Sequence, residues 1–317
     1  MQHFTKRADV PDPAALLRLA RACKQEPERF HDALAGKTLA LVFLQPSLRT
    51  RLSTQKAAQT LGMQVITLDA RQGWKLEWRE GVVMDGDRAE HIREAAGVIS
   101  QYADLIAVRA FAGLQDRAED YAEPLLEAFR RHAGVPVLSL ESATRHPLQS
   151  LADWLTIEEH KTRPRPKVVL SWAPHPRALP QAVANSFLEW MRAAEVELVL
   201  THPEGYELDP AFTGGLQPEY DQERAFEGAD FVYAKNWSAL EPYGAVLRTD
   251  GEWMVTPEKM ARTRSGRFLH CLPVRRNVVV SDAVLDGPRS LVLQQAANRE
   301  YAAQAALLAL LAENPLP

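Results

Sequence analysis

Short, almost wholly apolar segments alternate with segments of helical spacing along most of the chain. Strands with one face in water alternate apolar and polar residues, whereas strands covered on both faces are apolar nearly throughout. Eight such segments are predicted as strands, at residues 38–44, 64–68, 105–109, 135–140, 167–172, 196–200, 230–234 and 268–272. Their alternation with helices predicts an α/β fold made of doubly wound parallel sheets.

The length of 317 residues predicts two domains, because single hydrophobic cores rarely grow beyond about 250–300 residues. The basic, proline-broken stretch at residues 161–167 is interpreted as a joint between two α/β halves. Helical spacing predicts a helix that begins near His146 and a last helix at about residues 296–313. Asp87 and Glu90 are interpreted as a capping box that opens a further helix containing Ile92, Ala96 and Ile99.

Composition excludes several classes of protein. Lys and Arg number 37 against 41 Asp and Glu, and a net charge of −4 argues against nucleic acid as a partner. Two cysteines, Cys23 and Cys271, make a disulfide framework implausible and favour a reducing compartment. The longest apolar run, residues 305–312, is far shorter than the roughly 20 residues of a membrane span, and the start has no signal-peptide core. We expect a cytoplasmic protein that has no membrane partner.

Polar and cationic side chains follow most of the predicted strands. In open α/β sheets ligands bind at the carboxyl ends of the strands. Ser47 can cap the next helix, whose first N–H groups would bind an anion such as phosphate together with Arg49. The alternative to an anion site is a plain N-cap with solvated arginines. It is less favoured because Arg109 and His146 stand at other strand ends.

His146 precedes Pro147 at a helix start, where a neutral imidazole can polarise a carbonyl group. The alternative is a capping or packed histidine. Gln149 is predicted as a donor of the kind that stabilises an oxyanion. Cys271 is either a nucleophile or a buried thiol at a strand end, and no general base is assigned to it. No metal-ligand spacing and no dinucleotide-binding glycine motif occur, so no metal and no cofactor are predicted.

Three segments together resemble the signature segments of the aspartate/ornithine carbamoyltransferases, in the family's order and roughly at its spacing. They are Ser47-Leu-Arg-Thr-Arg51, His146-Pro-Leu-Gln149 and His270-Cys-Leu-Pro273. The resemblance implies a carbamoyl-phosphate domain at residues 1–145, against which a C-terminal helix at 296–317 packs, and an amino-acid domain at residues 146–295. It further implies an active site in the cleft between two doubly wound domains, a homotrimer, and no cofactor.

The chain departs from ordinary ornithine carbamoyltransferases, because the Ser-Met-Gly loop that grips free ornithine has no counterpart. Lys235-Asn-Trp237 and the loop Gln72-Gly-Trp-Lys-Leu-Glu77 look like the branch that acts on Nα-acylated ornithine. The resemblance assigns the phosphate to Ser47, Leu48, Arg49, Thr50, Arg109 and Arg299. It assigns the carbamoyl group to His146, Gln149, Cys271 and Leu272, with Thr50, Arg109, His146 and Gln149 as catalytic residues. It assigns the acylated ornithine to Glu141, His175, Lys235 and Arg275, and places Trp74 in the site of a neighbouring subunit.

The acyl group is predicted from Ala89. Enzymes that use the acetyl compound resemble this segment but carry an acidic residue here, whereas those that use the succinyl compound carry proline, from which Ala89 also departs. A second carboxylate about 4 Å from a Glu would be repelled by about 1–4 kcal/mol. The resemblance therefore implies carbamoyl transfer from carbamoyl phosphate to N-succinyl-L-ornithine in arginine biosynthesis. The alternatives are N-acetylornithine as substrate, or a non-catalytic trimer that binds carbamoyl phosphate.

Overall fold

The computed structural model describes residues 1–69 and 74–312. Of the predicted loop at residues 72–77, residues 72 and 73 lie outside the described residues, as do residues 313–317 of the predicted last helix and C-terminal segment. The strands are β1 (Thr38–Phe43), β2 (Gln64–Asp69), β3 (Leu76–Glu77), β4 (Glu90–His91), β5 (Leu105–Arg109), β6 (Val137–Glu141), β7 (Lys167–Trp172), β8 (Glu197–Thr201), β9 (Phe231–Lys235) and β10 (Arg267–Leu269). The helices are α1 (Pro13–Gln25), α2 (Pro27–Phe30), α3 (Leu48–Thr60), α4 (Ile92–Tyr102), α5 (Arg117–Ala122), α6 (Pro124–His132), α7 (Pro147–His160), α8 (Ala182–Met191), α9 (Pro210–Thr213), α10 (Gln222–Phe226), α11 (Pro257–Ala261), α12 (Asp282–Leu285) and α13 (Val292–Leu311).

The strands form two parallel four-stranded sheets. One has the order β2-β1-β5-β6 and the other the order β10-β9-β7-β8, while β3 and β4 pair separately. The strands β5, β6 and β9 are each buried along their whole length, as expected for strands covered on both faces. The predicted α/β fold with parallel sheets is confirmed, and each predicted strand has a counterpart whose ends differ by at most a few residues.

The chain divides into two compact units. The first unit comprises Met1–Gly113, Ala118–Leu148 and Arg299–Pro317, and the second comprises Leu114–Arg117 and Gln149–Asn298. The stretch at residues 161–167, interpreted as a joint, lies inside the second unit. There Lys167 N donates to Asp230 Oδ2 at 2.7 Å, and Arg163 Nε lies 3.5 Å from the same carboxylate.

Each unit has a core of its own. In the first unit the core is built on the buried side chains Ala40, Val42, Ile92, Ile106, Val108, Leu126 and Phe129. In the second unit it is built on Val169, Phe226, Val232, Val255, Met260, Phe268 and Val280. None of the helices in residues 1–69 and 74–312 has the length and apolar character that crossing a membrane requires.

Two predicted helix starts had different outcomes. Ser47 caps α3 as predicted, since its hydroxyl accepts the Thr50 N–H at 3.3 Å. The capping box of Asp87 and Glu90 is wrong, because Glu90 belongs to β4 and pairs with Leu76 of β3. Helix α4 therefore begins at Ile92, where the preceding His91 accepts the Arg93 N–H on Nδ1 at 3.2 Å.

Candidate active site

The start of α3 presents the first group of predicted ligands. The backbone of Ser47 is extended and its hydroxyl closes the first turn, which leaves the first N–H groups of the helix directed outward. Leu48 is exposed, Arg49 is half-buried and Thr50 is fully buried. The first turn carries no acidic residue, so the positive end of the helix dipole keeps its attraction for an anion.

Five buried polar side chains of the first unit form a continuous chain of contacts. Arg299 Nη2 donates to Thr50 Oγ1 at 2.6 Å and lies 3.4 Å from His146 Nε2. His146 Nε2 is 3.6 Å from Glu141 Oε2, and the same oxygen accepts from Arg109 Nη1 at 2.5 Å. The group contains two guanidinium charges and one carboxylate, so it carries an excess of buried positive charge that an anion can neutralise.

The contacts of His146 favour a neutral imidazole. A guanidinium can only donate, so the approach of Arg299 Nη2 to Nε2 fits a ring nitrogen that carries no proton. The 3.6 Å separation from Glu141 is too long for a hydrogen bond, so the carboxylate does not hold a proton on that nitrogen. A neutral imidazole is the form predicted for polarising a carbonyl group.

Arg109 and Glu141 stand at the ends of the neighbouring strands β5 and β6. The guanidinium of Arg109 lies 4.2 Å from the centre of the Phe111 ring as well as against Glu141. The carboxylate of Glu141, predicted to bind the acylated ornithine, is thus held against Arg109 in the first unit. The parallel order of β1, β5 and β6 explains why these side chains and the start of α3 share one edge of the sheet.

Glu123 is a half-buried contributor that sequence reasoning missed. Its Oε1 accepts from Ser142 Oγ at 2.5 Å, from Thr144 N at 2.9 Å and from Thr144 Oγ1 at 2.6 Å. These bonds hold the loop of residues 142–145, which connects Glu141 to His146. No signal in the sequence singles out Glu123, because it precedes α6 and lies far from this loop along the chain.

In the second unit, Gln149 is buried on α7. Its Nε2 donates to Asp153 Oδ1 at 2.7 Å, and Gln295 Nε2 donates to the same oxygen at 2.6 Å. No donor within the described parts of the chain reaches Gln149 Oε1, which is buried. One N–H of the predicted oxyanion donor is therefore taken by Asp153, and the unsatisfied atom of this side chain is its acceptor oxygen.

The segment that follows β10 is tied to the same group. His270 N donates to Gln295 Oε1 at 2.9 Å, and Leu272 N donates to His270 Nδ1 at 2.9 Å. Cys271 is half-buried beside Tyr233. Burial, with Asp153 and Cys271 nearby, raises the pKa of Tyr233 well above its usual range, so its hydroxyl stays protonated.

A cationic group of the second unit gathers predicted ligands of the acylated ornithine. His175 Nε2 accepts from Arg275 Nε at 3.0 Å, and Lys235 is buried with its Nζ donating to Asn236 O at 2.8 Å. Burial lowers the pKa of His175, and the charges of Arg275, Lys235 and Arg177 lower it further. The imidazole is neutral near pH 7, and the surrounding positive charge suits a carboxylate ligand.

Arg276, next to Arg275 in the sequence, is engaged elsewhere. Its guanidinium donates to Asp282 Oδ1 at 2.8 Å and to Asp286 Oδ2 at 2.6 Å. The side chain of Arg275, next to it in the sequence, reaches His175 instead. Of the two adjacent arginines, only Arg275 contacts His175 of the cationic group.

Trp74 and Ala89 lie outside these groups. Trp74 is half-buried against the core of the first unit and donates from Nε1 to Glu90 Oε2 at 2.6 Å. Its predicted role in a neighbouring subunit stays a prediction. Ala89 is exposed, with its N–H donating to Lys75 O at 3.0 Å. Arg88, the residue before Ala89, donates to Leu76 O at 2.9 Å and stacks 4.1 Å from the centre of the Trp78 ring.

Comparison with known proteins places these groups in context. The model of the aspartate/ornithine carbamoyltransferase carbamoyl-P binding domain matches residues 2–159, and that of the Asp/Orn binding domain matches residues 180–311. The chain is 53% identical to an N-succinylornithine carbamoyltransferase of Bacteroides fragilis, over 99% of this chain and 100% of that protein.

Two solved structures are also similar. An acetylornithine transcarbamylase complexed with acetylcitrulline superposes with a TM-score of 0.92 at 37% identity, covering 98% of this chain and 99% of that one. A glutamate-to-alanine mutant of N-acetyl-L-ornithine transcarbamylase was solved with carbamyl phosphate and N-succinyl-L-norvaline. It has a TM-score of 0.89 at 36% identity, covering 98% of this chain and 100% of that one.

Proposed function

The chain belongs to the aspartate/ornithine carbamoyltransferase family, and we propose that it transfers the carbamoyl group of carbamoyl phosphate to the δ-amine of N-succinyl-L-ornithine. The products are N-succinyl-L-citrulline and phosphate, in arginine biosynthesis. The observation that carries this function is the likeness to an N-succinylornithine carbamoyltransferase along nearly the whole chain. The relatives of the acetyl type share a smaller fraction of their residues.

The first unit supplies the positive charge that carbamoyl phosphate needs. Ser47, Leu48, Arg49 and Thr50 bind the phosphate at the start of α3, where helix N–H groups and a guanidinium are available. Arg109 and Arg299 add charge to this group. The contact of Arg299 with Thr50 supports the assignment, because it fixes a buried cation against the first turn of the phosphate-binding helix.

Carbamoyl transfer then needs no covalent intermediate with the protein. The uncharged δ-amine uses its lone pair to form a bond to the carbamoyl carbon, and the carbonyl oxygen becomes an oxyanion. Thr50, Arg109 and His146 stabilise this oxyanion, and Gln149 with the Cys271–Leu272 segment holds the carbamoyl group. The bond between carbon and the bridging oxygen breaks, and phosphate leaves with the electron pair. The departing phosphate takes the amine proton.

The acylated ornithine binds to Glu141, His175, Lys235 and Arg275. The buried Lys235 and the exposed Arg275 beside a neutral imidazole suit the α-carboxylate of the substrate. Succinyl is preferred over acetyl because Ala89 places no carboxylate at a position where the acetyl enzymes are expected to carry one. Removal of a glutamate from an acetyl enzyme accompanies an N-succinyl ligand in one similar structure, which supports this choice.

The assembly and the location follow from the same assignment. We propose a cytoplasmic homotrimer in which Trp74 contributes to the site of a neighbouring subunit. Residues 1–145 with the C-terminal helix form the carbamoyl-phosphate domain, and residues 146–295 form the acylornithine domain. Size-exclusion chromatography with light scattering tests the trimer, and a monomeric active enzyme would contradict it.

Side-by-side turnover of ornithine, N-acetylornithine and N-succinylornithine with carbamoyl phosphate tests the function. We expect the succinyl compound to give the highest kcat/KM. Faster turnover of the acetyl compound would assign the alternative specificity, and no turnover with any of them would favour a non-catalytic binding protein. Arg49→Ala should lower kcat/KM by about 10- to 150-fold, the effect of losing one charge-assisted hydrogen bond.

The acyl preference has a direct test at one exposed position. Ala89→Glu should lower the kcat/KM for N-succinylornithine, since two carboxylates about 4 Å apart repel by about 1–4 kcal/mol. The kcat/KM for N-acetylornithine should change little. Ala89→Gln is the matched control, because it adds the same bulk without the charge. Equal losses in the two variants would show that size and not charge governs the position.

A further inference from the structure

Asp153 is a buried carboxylate to which the sequence assigned no role. It lies on α7 one turn after Gln149, and its side chain is completely buried. Its Oδ1 accepts from Gln149 Nε2 at 2.7 Å and from Gln295 Nε2 at 2.6 Å. Burying a carboxylate is costly unless donors compensate it, so this arrangement needs a reason.

The carboxylate decides which way both amides face. A glutamine side chain has a donor end and an acceptor end of almost the same shape, while an ionised carboxylate only accepts. Both glutamines must therefore turn their NH2 groups toward Asp153 and their oxygens elsewhere. The oxygen of Gln295 accepts from His270 N at 2.9 Å. Asp153, through Gln295, thus connects Gln149 of the second signature segment to the backbone of the third, at His270.

The oxygen of Gln149 has no such partner. Within residues 1–69 and 74–312 no donor reaches Gln149 Oε1, although the side chain is buried. Leaving a buried acceptor unsatisfied is unfavourable, so its persistence indicates a ligand that donates to it. In carbamoyl phosphate the phosphate and carbonyl oxygens accept, and the only group with N–H bonds is the carbamoyl NH2.

We propose that Asp153 is a positioning residue that orients Gln149 so that its Oε1 accepts a hydrogen bond from the carbamoyl NH2. The inference rests on the proposed function and deepens it, because it explains how a carbamoyl group is distinguished from other acyl groups on a phosphate. The hydroxyl of Tyr233, whose pKa is raised by burial and by the charge of Asp153, stays protonated near the same carboxylate. Asp153 itself touches neither substrate.

Acetyl phosphate provides the decisive probe, because it replaces the NH2 of carbamoyl phosphate by a methyl group of similar size. Calorimetric titration should show that the wild-type protein binds carbamoyl phosphate about 5- to 150-fold more tightly than acetyl phosphate. In Asp153→Leu the amide of Gln149 loses its orienting acceptor, and this ratio should fall to within about threefold of unity. The affinity for inorganic phosphate should not change, since phosphate has no NH2.

Controls separate positioning from a general structural effect. Asp230→Asn alters another buried carboxylate of the second unit, one that accepts from Lys167 N at 2.7 Å, and should leave the ratio at its wild-type value. Asp153→Ser is the second variant in case leucine prevents folding, since its hydroxyl is too short to reach both amides. Asp153→Asn keeps an oxygen that can accept and should retain more of the preference than either.

The outcomes are distinct. A folded Asp153→Leu or Asp153→Ser variant that keeps the wild-type ratio overturns the inference, and so does an Asp153→Asn variant that loses as much as the leucine variant. In a Gln149→Ala background, Asp153→Leu should change the ratio by less than about twofold, because the oriented group is already gone. The proposed function is judged separately, by turnover of the acylated ornithines in the wild-type protein.

Discussion

Removing the carboxylate of Glu141 should destabilise the ligand-free protein far more than the phosphate-bound protein. Glu141 Oε2 lies 2.5 Å from Arg109 Nη1, and the two side chains are only 11% and 7% exposed. Deleting one member of a buried ion pair leaves an uncompensated charge, which costs about 3–5 kcal/mol. For a unit of this size Glu141→Ala should lower the Tm by about 6–20 °C.

An anion bound at the proposed phosphate-binding residues should restore part of the stability that Glu141→Ala loses. Any ligand that binds only the folded state stabilises it, by about 2.7 kcal/mol at 100 times its Kd. In the wild-type protein the anion competes with Glu141 for the charge of Arg109. In Glu141→Ala this competition is absent, so the affinity for inorganic phosphate should rise and the stabilisation at a fixed phosphate concentration should exceed that of the wild type.

Thermal unfolding followed by circular dichroism, with and without inorganic phosphate, measures both effects. The control is the double variant Arg109→Met with Glu141→Leu, which removes both charges and keeps apolar volume. It should unfold near the wild-type temperature or above it, because a buried pair replaced by packed apolar groups is often neutral or stabilising. The reasoning fails if Glu141→Ala loses less than about 1 kcal/mol, or if phosphate stabilises it no more than the wild type.

Three further predictions concern loop order, pH and neighbouring arginines. Glu123→Ala should lower kcat and lower the free energy of unfolding by about 1–3 kcal/mol, because three hydrogen bonds to residues 142–145 are lost. A variant with wild-type turnover and Tm would contradict this. The pKa of His175 is lower in the folded protein than in the unfolded chain, so the unfolded chain binds more protons than the folded protein as the pH falls below about 6.5. Stability should therefore fall in that range, and the protonated imidazole should release Arg275. An NMR titration that gives His175 a pKa at or above the ordinary value would refute this. Arg275→Ala should raise the KM for the acylated ornithine, whereas Arg276→Ala should change it by less than about twofold, since its partners are exposed aspartates; steady-state kinetics with equal effects would contradict this.

The strands could be predicted because their signal is local. An apolar run such as residues 167–172 needs no knowledge of its partners to be recognised, and β7 has the same bounds. The pair of β3 and β4 was missed because each strand has two residues, so no periodicity can show them. The capping box predicted at Asp87 was wrong because the pairing of Glu90 with Leu76 overrides a local helix signal.

The side chains that hold the predicted ligands were harder to find. Ser47 was predictable as a cap, because capping acts within one helical turn. Glu123 could not be found, since its contacts with residues 142–145 depend on the packing of α6 against the sheet. Asp153 did leave a signal, because an acid within the buried helix face of Leu151, Ala152 and Leu155 must meet donors. Its spacing of four residues from Gln149 identifies one of them.

Charge and hydrogen-bond direction divide the recognition of carbamoyl phosphate between them. In the proposed site the guanidinium groups of Arg109 and Arg299 would attract any phosphorylated anion, including inorganic phosphate, the product. Direction is what charge cannot supply, and Gln149 Oε1, oriented by Asp153, favours a donor over a methyl group. A site that hydrogen-bonds a substrate NH discriminates strongly against an analogue without it, because its own polar group is then left unpaired. We therefore expect substitution of Asp153 to remove the selectivity among acyl phosphates, and substitution of Arg109 or Arg299 to lower the affinity for phosphate.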